Sequence, residues 1–261
     1  MSTIERKHKY TLTDGKNGFS INFADMKFEP SDLDALSGKF AAAHEEMKKL
    51  EAGAIKNPDE NRQVTHFSDR IAYPKSELFT QVEKFAQDVI AGDIVGSTGK
   101  RLEAVIINGI GGSALGPQLM QFAINGPYWN ELSAAKRNGL KIYFLDNTDS
   151  AGFRDVLDVI NPEKTLMLTI SKSGGTQETK NNLSAMENYY RELELDFSNH
   201  AAAITMRDSK LWKHAEANSW STILEMAESI GGRTSETSIV GHVPAVLTGV
   251  DFKAFLDGAS T

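Results

Sequence analysis

Three glycine- and hydroxyl-rich segments carry the residue types that could hold and transform an anionic substrate. The most informative is Ser171-Lys172-Ser173-Gly174-Gly175-Thr176-Gln177-Glu178-Thr179, which follows the apolar run 165–170 and precedes a helical pattern starting near Thr176. Hydroxyls at 171, 173 and 176, paired glycines and a lysine offer backbone N–H donors, O–H donors and positive charge to one compact anion. The dipole of the following helix favours a phosphate there. The order G-x-x-x-x-G-K-S/T is absent, so a nucleoside triphosphate with magnesium is not implied. The plainer alternative is helix capping by Ser173 or Thr176 with Glu178, which accounts for the hydroxyls but not for the glycines or the lysine.

A second loop, Asn108 to Gly116, follows the run AVIIN at 104–108 and leads into a helix expected around Leu115 to Ala123. Gly109, Gly111 and Ala114 satisfy the dinucleotide pattern G-x-G-x-x-A, but the acidic residue expected about 20 positions later is missing. The first acid at a following strand end is Asp146, which argues against a nicotinamide cofactor. A tight turn that needs small residues for packing is the alternative. The third loop, Gly231-Gly232-Arg233-Thr234-Ser235-Glu236-Thr237-Ser238, presents a guanidinium after paired glycines, suited to a ligand anion or to an oxyanion formed in a reaction. Its alternative is a glycine helix stop, Ser/Thr capping, and Arg233 in a structural ion pair.

These loops need strands to position them. Apolar runs at 104–108, 141–145, 165–170, 201–205 and 221–225 lack alternation, as strands covered on both faces do, and are spaced for crossover helices. The fold expected is α/β, a five-stranded parallel α/β/α sandwich with ligands beyond the carboxyl ends of its strands. Before it stands a helical segment. One helix is expected from Ser31, as N-cap, to Leu50, with Leu33, Leu36, Phe40, Ala43, Met47 and Leu50 on one stripe, Gly53 as stop, and Glu45 paired with Lys49. A second follows Pro74 and Ser76, burying Leu78, Val82, Phe85 and Val89 before Gly92. Between them Asn57 to Asp69 reads as a polar connection.

The chain of 261 residues is 40% hydrophobic and 24% charged, the balance of a globular protein, which excludes disorder. No apolar stretch approaches the roughly 18 to 20 residues of a membrane span, and MSTIERKHKY is not a secretory leader. With no cysteine, disulfides, thiolate zinc sites and cysteine nucleophiles are closed, and a cytoplasmic location is expected. The 6 histidines are scattered without metal-ligand spacing, so no metal is expected. A net charge of -7 argues against a nucleic-acid partner and requires any anion to be held locally.

Together the three loops resemble the glucose-6-phosphate isomerase family, whose chains carry I-G-I-G-G-S-x-L-G-P, then S-K-S/T-x-x-T-x-E-T, then G-G-R. The match runs over Ile107 to Pro117, with Asn108 where the family usually has glycine, then Ser171 to Thr179 and Gly231 to Arg233. Asn61-Arg62-Gln63-Val64-Thr65-His66 is similar to the family's N-R-x-V-x-H. The resemblance implies a sugar-isomerase (SIS) domain over 96–261, preceded by helical residues 1–95. Ser171, Lys172, Ser173 and Thr176 would then cradle the substrate phosphate. Gly112 and Ser113 would contact the sugar, and Arg233, the catalytic residue, would stabilise enediolate charge. It further implies no cofactor, a cytoplasmic homodimer in the full-length family, and a place in glycolysis and gluconeogenesis.

Departures follow. The family's base glutamate sits in a G-x-x-x-E segment downstream of G-G-R, and its ring-opening histidine and lysine lie later still. The chain reaches Thr261 within a helix expected on Phe252, Phe255 and Leu256, so the expectation is an N-terminal portion, truncated before a second SIS domain and lacking the base. Thr234 replaces an aromatic residue found in many members, and Gly174-Gly175 replace bulkier ones. Glu236 stays open between a functional carboxylate and a cap. The rival reading from another class is a non-catalytic sugar-phosphate-binding SIS module. A nicotinamide-dependent oxidoreductase is the third.

Overall fold

The computed structural model describes residues 2–16 and 18–260. Helix α1 (Thr3–Lys9) leads into an antiparallel hairpin of β1 (Thr11–Thr13) and β2 (Ser20–Asn22), and Arg6 fastens the unit by donating from Nε to the Ala24 carbonyl at 2.7 Å. Helix α2 (Pro30–Glu51) follows. Its N-cap is Glu29 rather than Ser31, because Pro30 suits the first helical position and the Glu29 N–H donates to the Asp32 carboxylate at 2.7 Å. Glu45 pairs with Lys48 and Glu46 with Lys49, so the expected Glu45–Lys49 pair is replaced by i, i+3 neighbours. The apolar stripe of α2 is real but at most partly covered. None of its residues is buried, and Phe40 is 58% exposed.

Residues 57–69 are not a plain connection. They close a small hairpin, β3 (Ile55–Asn57) with β4 (Arg62–Gln63), through Asn61 at a left-handed φ of 49°, and then start α3 (His66–Ala72). Two- and three-residue strands are too short for alternation to register. Helix α4 (Glu77–Ala91) follows Ser76, which caps it, and is ended by left-handed Gly92 as expected; it buries Val82, Phe85 and Val89 as expected, with Phe79 and Ala86, while Leu78 is only partly buried against the core.

The sheet strands are β5 (Ala104–Asn108), β6 (Lys141–Leu145), β7 (Thr165–Ile170), β8 (Ala201–Thr205) and β9 (Thr222–Glu225). They are parallel, in the order β6-β5-β7-β8-β9. Between and after them run α5 (Gly112–Met120), α6 (Ser150–Val159), α7 (Gln177–Glu192), α8 (Lys210–Ala217), α9 (Ile239–Leu247) and α10 (Phe252–Ala259). Helix α5 starts earlier than expected, right after Gly111 at φ 57°, and passes into a π turn over Gln121–Asn125.

Alternate strand residues serve the two faces. Val105, Ile107, Leu166, Leu168, Ala202 and Ile204 pack with α4, α9 and α10, while Ile106, Met167, Ala201 and Ala203 pack with α6, α7 and α8. Each fully buried Val, Leu or Ile side chain contributes about 1.5–3 kcal/mol. Helix α4 thus completes the core of the sheet that follows it in sequence.

Two histidines are wholly enclosed in this core. His200 Nδ1 donates to the Thr165 carbonyl at 3.0 Å while Nε2 accepts the Ser97 N–H at 2.9 Å, an arrangement only the neutral ring can make. His242 is stacked between Phe79 and Phe252, with Nδ1 2.8 Å from the Tyr73 hydroxyl and Nε2 2.9 Å from Glu83. Burial pushes the His200 imidazole down, and pushes that of His242 down to about 3. In the unfolded chain both titrate near 6.5. Above that pH neither state is charged and no penalty arises. Below it the unfolded chain takes up protons the native state refuses, and stability falls by about 1.4 kcal/mol per pH unit per histidine. Glu83, pushed up by burial and by Asp251, offsets part of this at the acid end. Urea unfolding is therefore expected to give a free energy about 1–3 kcal/mol lower at pH 5.5 than at pH 6.5. A flat profile over that interval counts against neutral buried rings.

Candidate functional site

The winding of the sheet reverses between β5 and β7. After β5 the chain turns to α5 on one face, and after β7 it turns to α7 on the other, which opens a crevice at the carboxyl ends of these two strands. Asn108, fully buried at the end of β5, donates across it to the Thr179 carbonyl of α7 at 3.0 Å. Gly109 lies so close that a Cβ there would be 2.8 Å from Ser113 Cβ and 3.2 Å from the Ile170 carbonyl oxygen. The loops holding Gly112 and Ser113 and holding Ser171 to Thr176 are neighbours for that reason.

The β7 loop is pinned from below by β8 and α8. Ser171 N–H donates to the Ile204 carbonyl at 3.1 Å, Thr205 Oγ1 donates to the Ser171 carbonyl at 2.6 Å, and Met206 N–H donates to the Lys172 carbonyl at 3.1 Å. Gly174 has φ 65°, and a Cβ there would stand 2.2 Å from the Leu211 nitrogen, so no other residue fits without a backbone shift. Ser171 Oγ and Thr176 Oγ1 come within 3.3 Å of each other at the N-terminus of α7. Thr176 is the N-cap residue, yet its side chain makes no cap hydrogen bond. Ser173 Oγ does accept the Gly175 N–H at 3.1 Å. That bond closes a turn ahead of the helix, so helix capping accounts for none of the three hydroxyls, and those of Ser171 and Thr176 are turned to each other.

The third loop arrives through a backbone contact. A Cβ on Gly112 would lie 1.8 Å from the Gly232 carbonyl oxygen, and Ser235 Oγ is 3.2 Å from the Gly112 carbonyl oxygen. Arg233, next in the chain, is exposed and forms no ion pair among the described residues, so the structural ion pair of the alternative reading is not made. Nor does Arg233 hydrogen-bond to Ser171–Thr176. Glu236 neither caps a helix nor enters the crevice by a hydrogen bond. Its backbone packs under Gly116 and Gly241, at 3.2 Å from a Cβ on the former and 2.0 Å on the latter.

One partnership was invisible in the sequence. Lys172 Nζ lies 3.1 Å from Glu60 Oε2, and the same oxygen accepts from Arg62 Nε at 2.6 Å. Arg62 then Lys172, by hydrogen bonding, hold the Glu60 carboxyl down at about 2. Arg62 is itself buried, with Nη1 donating to the Ser229 carbonyl at 3.0 Å and the guanidinium resting against Gly231. Among the described residues no cluster of His, Asp and Glu could hold a metal ion, and no helix is long and apolar enough to cross a membrane.

Residues 32–261 match the family model of phosphoglucose isomerase. The chain is 43% identical over 253 residues to a glucose-6-phosphate isomerase of Acaryochloris marina, covering 93% of this chain and 46% of that protein. A glucose-6-phosphate isomerase of Geobacter sulfurreducens is 38% identical over 269 residues, covering 98% and 49%. The crystal structure of a glucose-6-phosphate isomerase from Chlamydia trachomatis superposes with a TM-score of 0.80 at 28% identity, over 98% of this chain and 50% of that one. The chain thus spans about half the length of the curated relatives it matches.

Proposed function

The chain belongs to the phosphoglucose isomerase family, and from that premise we propose that its Ser171–Thr176 loop binds the phosphate of glucose 6-phosphate or fructose 6-phosphate, in a protein that interconverts the two. The observation that carries this is the pair of hydroxyls on Ser171 and Thr176, 3.3 Å apart at a helix N-terminus and unspent on capping. Lys172 adds charge and Ser173 lines the turn. Gly112 and Ser113, across the crevice, contact the sugar. Moving a proton between C2 and C1 builds negative charge on the enediolate oxygens, and the unpaired guanidinium of Arg233 offsets it. The unit is a SIS domain over 96–261 with residues 1–95 before it, cytoplasmic and homodimeric as in the family. The catalytic base is not among the carboxylates of these 261 residues, so alone they bind without isomerising.

Titration with inorganic phosphate and with fructose 6-phosphate tests the reading. A hydrogen bond to a charged group contributes about 1.5–3 kcal/mol, so Ser171→Ala or Thr176→Ala should weaken either ligand about ten-fold or more. Unchanged affinity in both variants removes this loop as the cradle.

A further inference from the structure

We propose that Glu60 is a removable counterion that guards the anion loop, occupying Lys172 until a phosphate displaces it. This rests on the phosphate reading of Ser171–Thr176. The geometry separates a fixed cationic pair from a loose acid. Arg62 is 9% exposed at its side chain and held by the carbonyls of Gln63 and Ser229, and Lys172 is 25% exposed on a loop pinned by β8, whereas Glu60 is 53% exposed at the tip of a two-stranded hairpin. The backbone of that tip has its own tie, Glu60 N–H donating to Asn57 Oδ1 at 3.1 Å, and the carboxylate adds only a long contact, Glu60 Oε1 accepting from Asn57 Nδ2 at 3.5 Å. Rotation of one side chain uncovers Lys172 and gives up the Arg62 Nε contact made by the same oxygen, while Arg62 keeps its bonds to the Gln63 and Ser229 carbonyls.

Its consequence is selectivity. On this proposal an anion held by the Ser171–Thr176 loop draws on the Lys172 ammonium, which Glu60 Oε2 engages at 3.1 Å, and so competes with Glu60 for it. A monovalent anion offers no more charge than the carboxylate already there. A phosphate monoester dianion offers more, together with acceptor oxygens for the hydroxyls, and wins the exchange. The chain, at net charge -7, thereby keeps its anion loop neutralised against simple salts and opens it to the dianion.

Two measurements on the whole chain test this. In the first, inorganic phosphate is titrated into wild type and Glu60→Gln. Removing a competing exposed ion-pair partner should tighten phosphate about two- to five-fold, more at low salt than at high. The neighbouring exposed Asp59→Asn should leave it unchanged, and Lys172→Met should erase the gain from Glu60→Gln. A gain that persists without Lys172, or weaker binding in Glu60→Gln, overturns the proposal. In the second, acetylation of Lys172 by a water-soluble acylating reagent is followed by mass spectrometry without any ligand. Glu60→Gln should speed it several-fold, and an unchanged rate overturns the counterion role however phosphate behaves. Failure of wild type to bind phosphate, with the acetylation rate raised as expected, overturns the assigned ligand and leaves the Glu60 contact standing.

Discussion

Supplied with glucose 6-phosphate in a coupled assay that reports fructose 6-phosphate, the 261-residue chain is expected to bind the sugar phosphate and to turn it over at least about 10⁴-fold more slowly than an ordinary enzyme. Proton transfer between C2 and C1 requires a carboxylate within hydrogen-bond reach of the migrating proton, and ring opening requires an acid. Each such group contributes about 10²–10⁴-fold. Several of the carboxylates are engaged elsewhere. Without ligand, Glu60 is held at about 2 by Arg62 and Lys172. Asp146 accepts from Gln118 at 2.7 Å, Asp251 caps α10, and Asp257 pairs with Lys253. Glu178 lies in the first turn of α7, where a negative charge complements the helix dipole. Glu236 packs by its backbone beneath α5, which leaves its carboxylate uncommitted and makes it the one to test. Phosphate affinity is expected to be retained, because the proposed hydroxyl loop does not depend on a base. Turnover at rates near 1–10³ s⁻¹, typical of enzymes, and abolished by Glu236→Gln would overturn the assignment.

Gly112→Ala is expected to cost both stability and ligand binding, and Gly232→Ala neither. A methyl group on Gly112 would lie 1.8 Å from the carbonyl oxygen of Gly232, 2.3 Å from its carbonyl carbon and 2.7 Å from its Cα, all backbone atoms that cannot turn aside. A methyl on Gly232 meets nothing within 4 Å. Overpacking in a core costs about 1–3 kcal/mol where side chains can yield, and a clash with backbone sits at the upper end or beyond. In a chain of this size each kcal/mol lowers the melting temperature by about 2–4 °C, so a fall of about 6–12 °C is expected. The two loops must also part, which moves Ser113 and Arg233 relative to the phosphate loop. Thermal melts and phosphate titrations of the two variants check this, and equal melting temperatures would show that the loops do not pack backbone to backbone.

Strands and their limits were legible because burial on both faces leaves an unbroken apolar run whatever the neighbours are. Four of the five strands keep the bounds expected for them, and the fifth begins one residue later, at Thr222, with Ser221 Oγ donating to the Ala201 carbonyl instead. The stop at Gly92 was equally plain, since it depends on residues within a turn or so. The chemical character of the loops was also local, set by hydroxyls, glycines and cations in short segments.

What local pattern could not decide is which distant segments meet. The stripe on α2 has the period of a buried face, but period records only that apolar residues share a side, and among the described residues Leu33, Met47 and Leu50 are only partly covered while Leu36, Phe40 and Ala43 are exposed. The hydroxyl of Thr176 could equally have capped α7, and only the pinning of the β7 loop by β8 turns it toward Ser171. Lys172 and Glu60 lie 112 residues apart, and Gly112 meets Gly232 only because the parallel strands deliver the segments that follow β5 and β9 to the same end of the sheet. Residue type and spacing act within a few turns of the chain, so they determined the strands, the helix stop at Gly92 and the anion-binding character of the loops. Pairing across the crevice depends on the path of the whole backbone, and only the tertiary structure decided it.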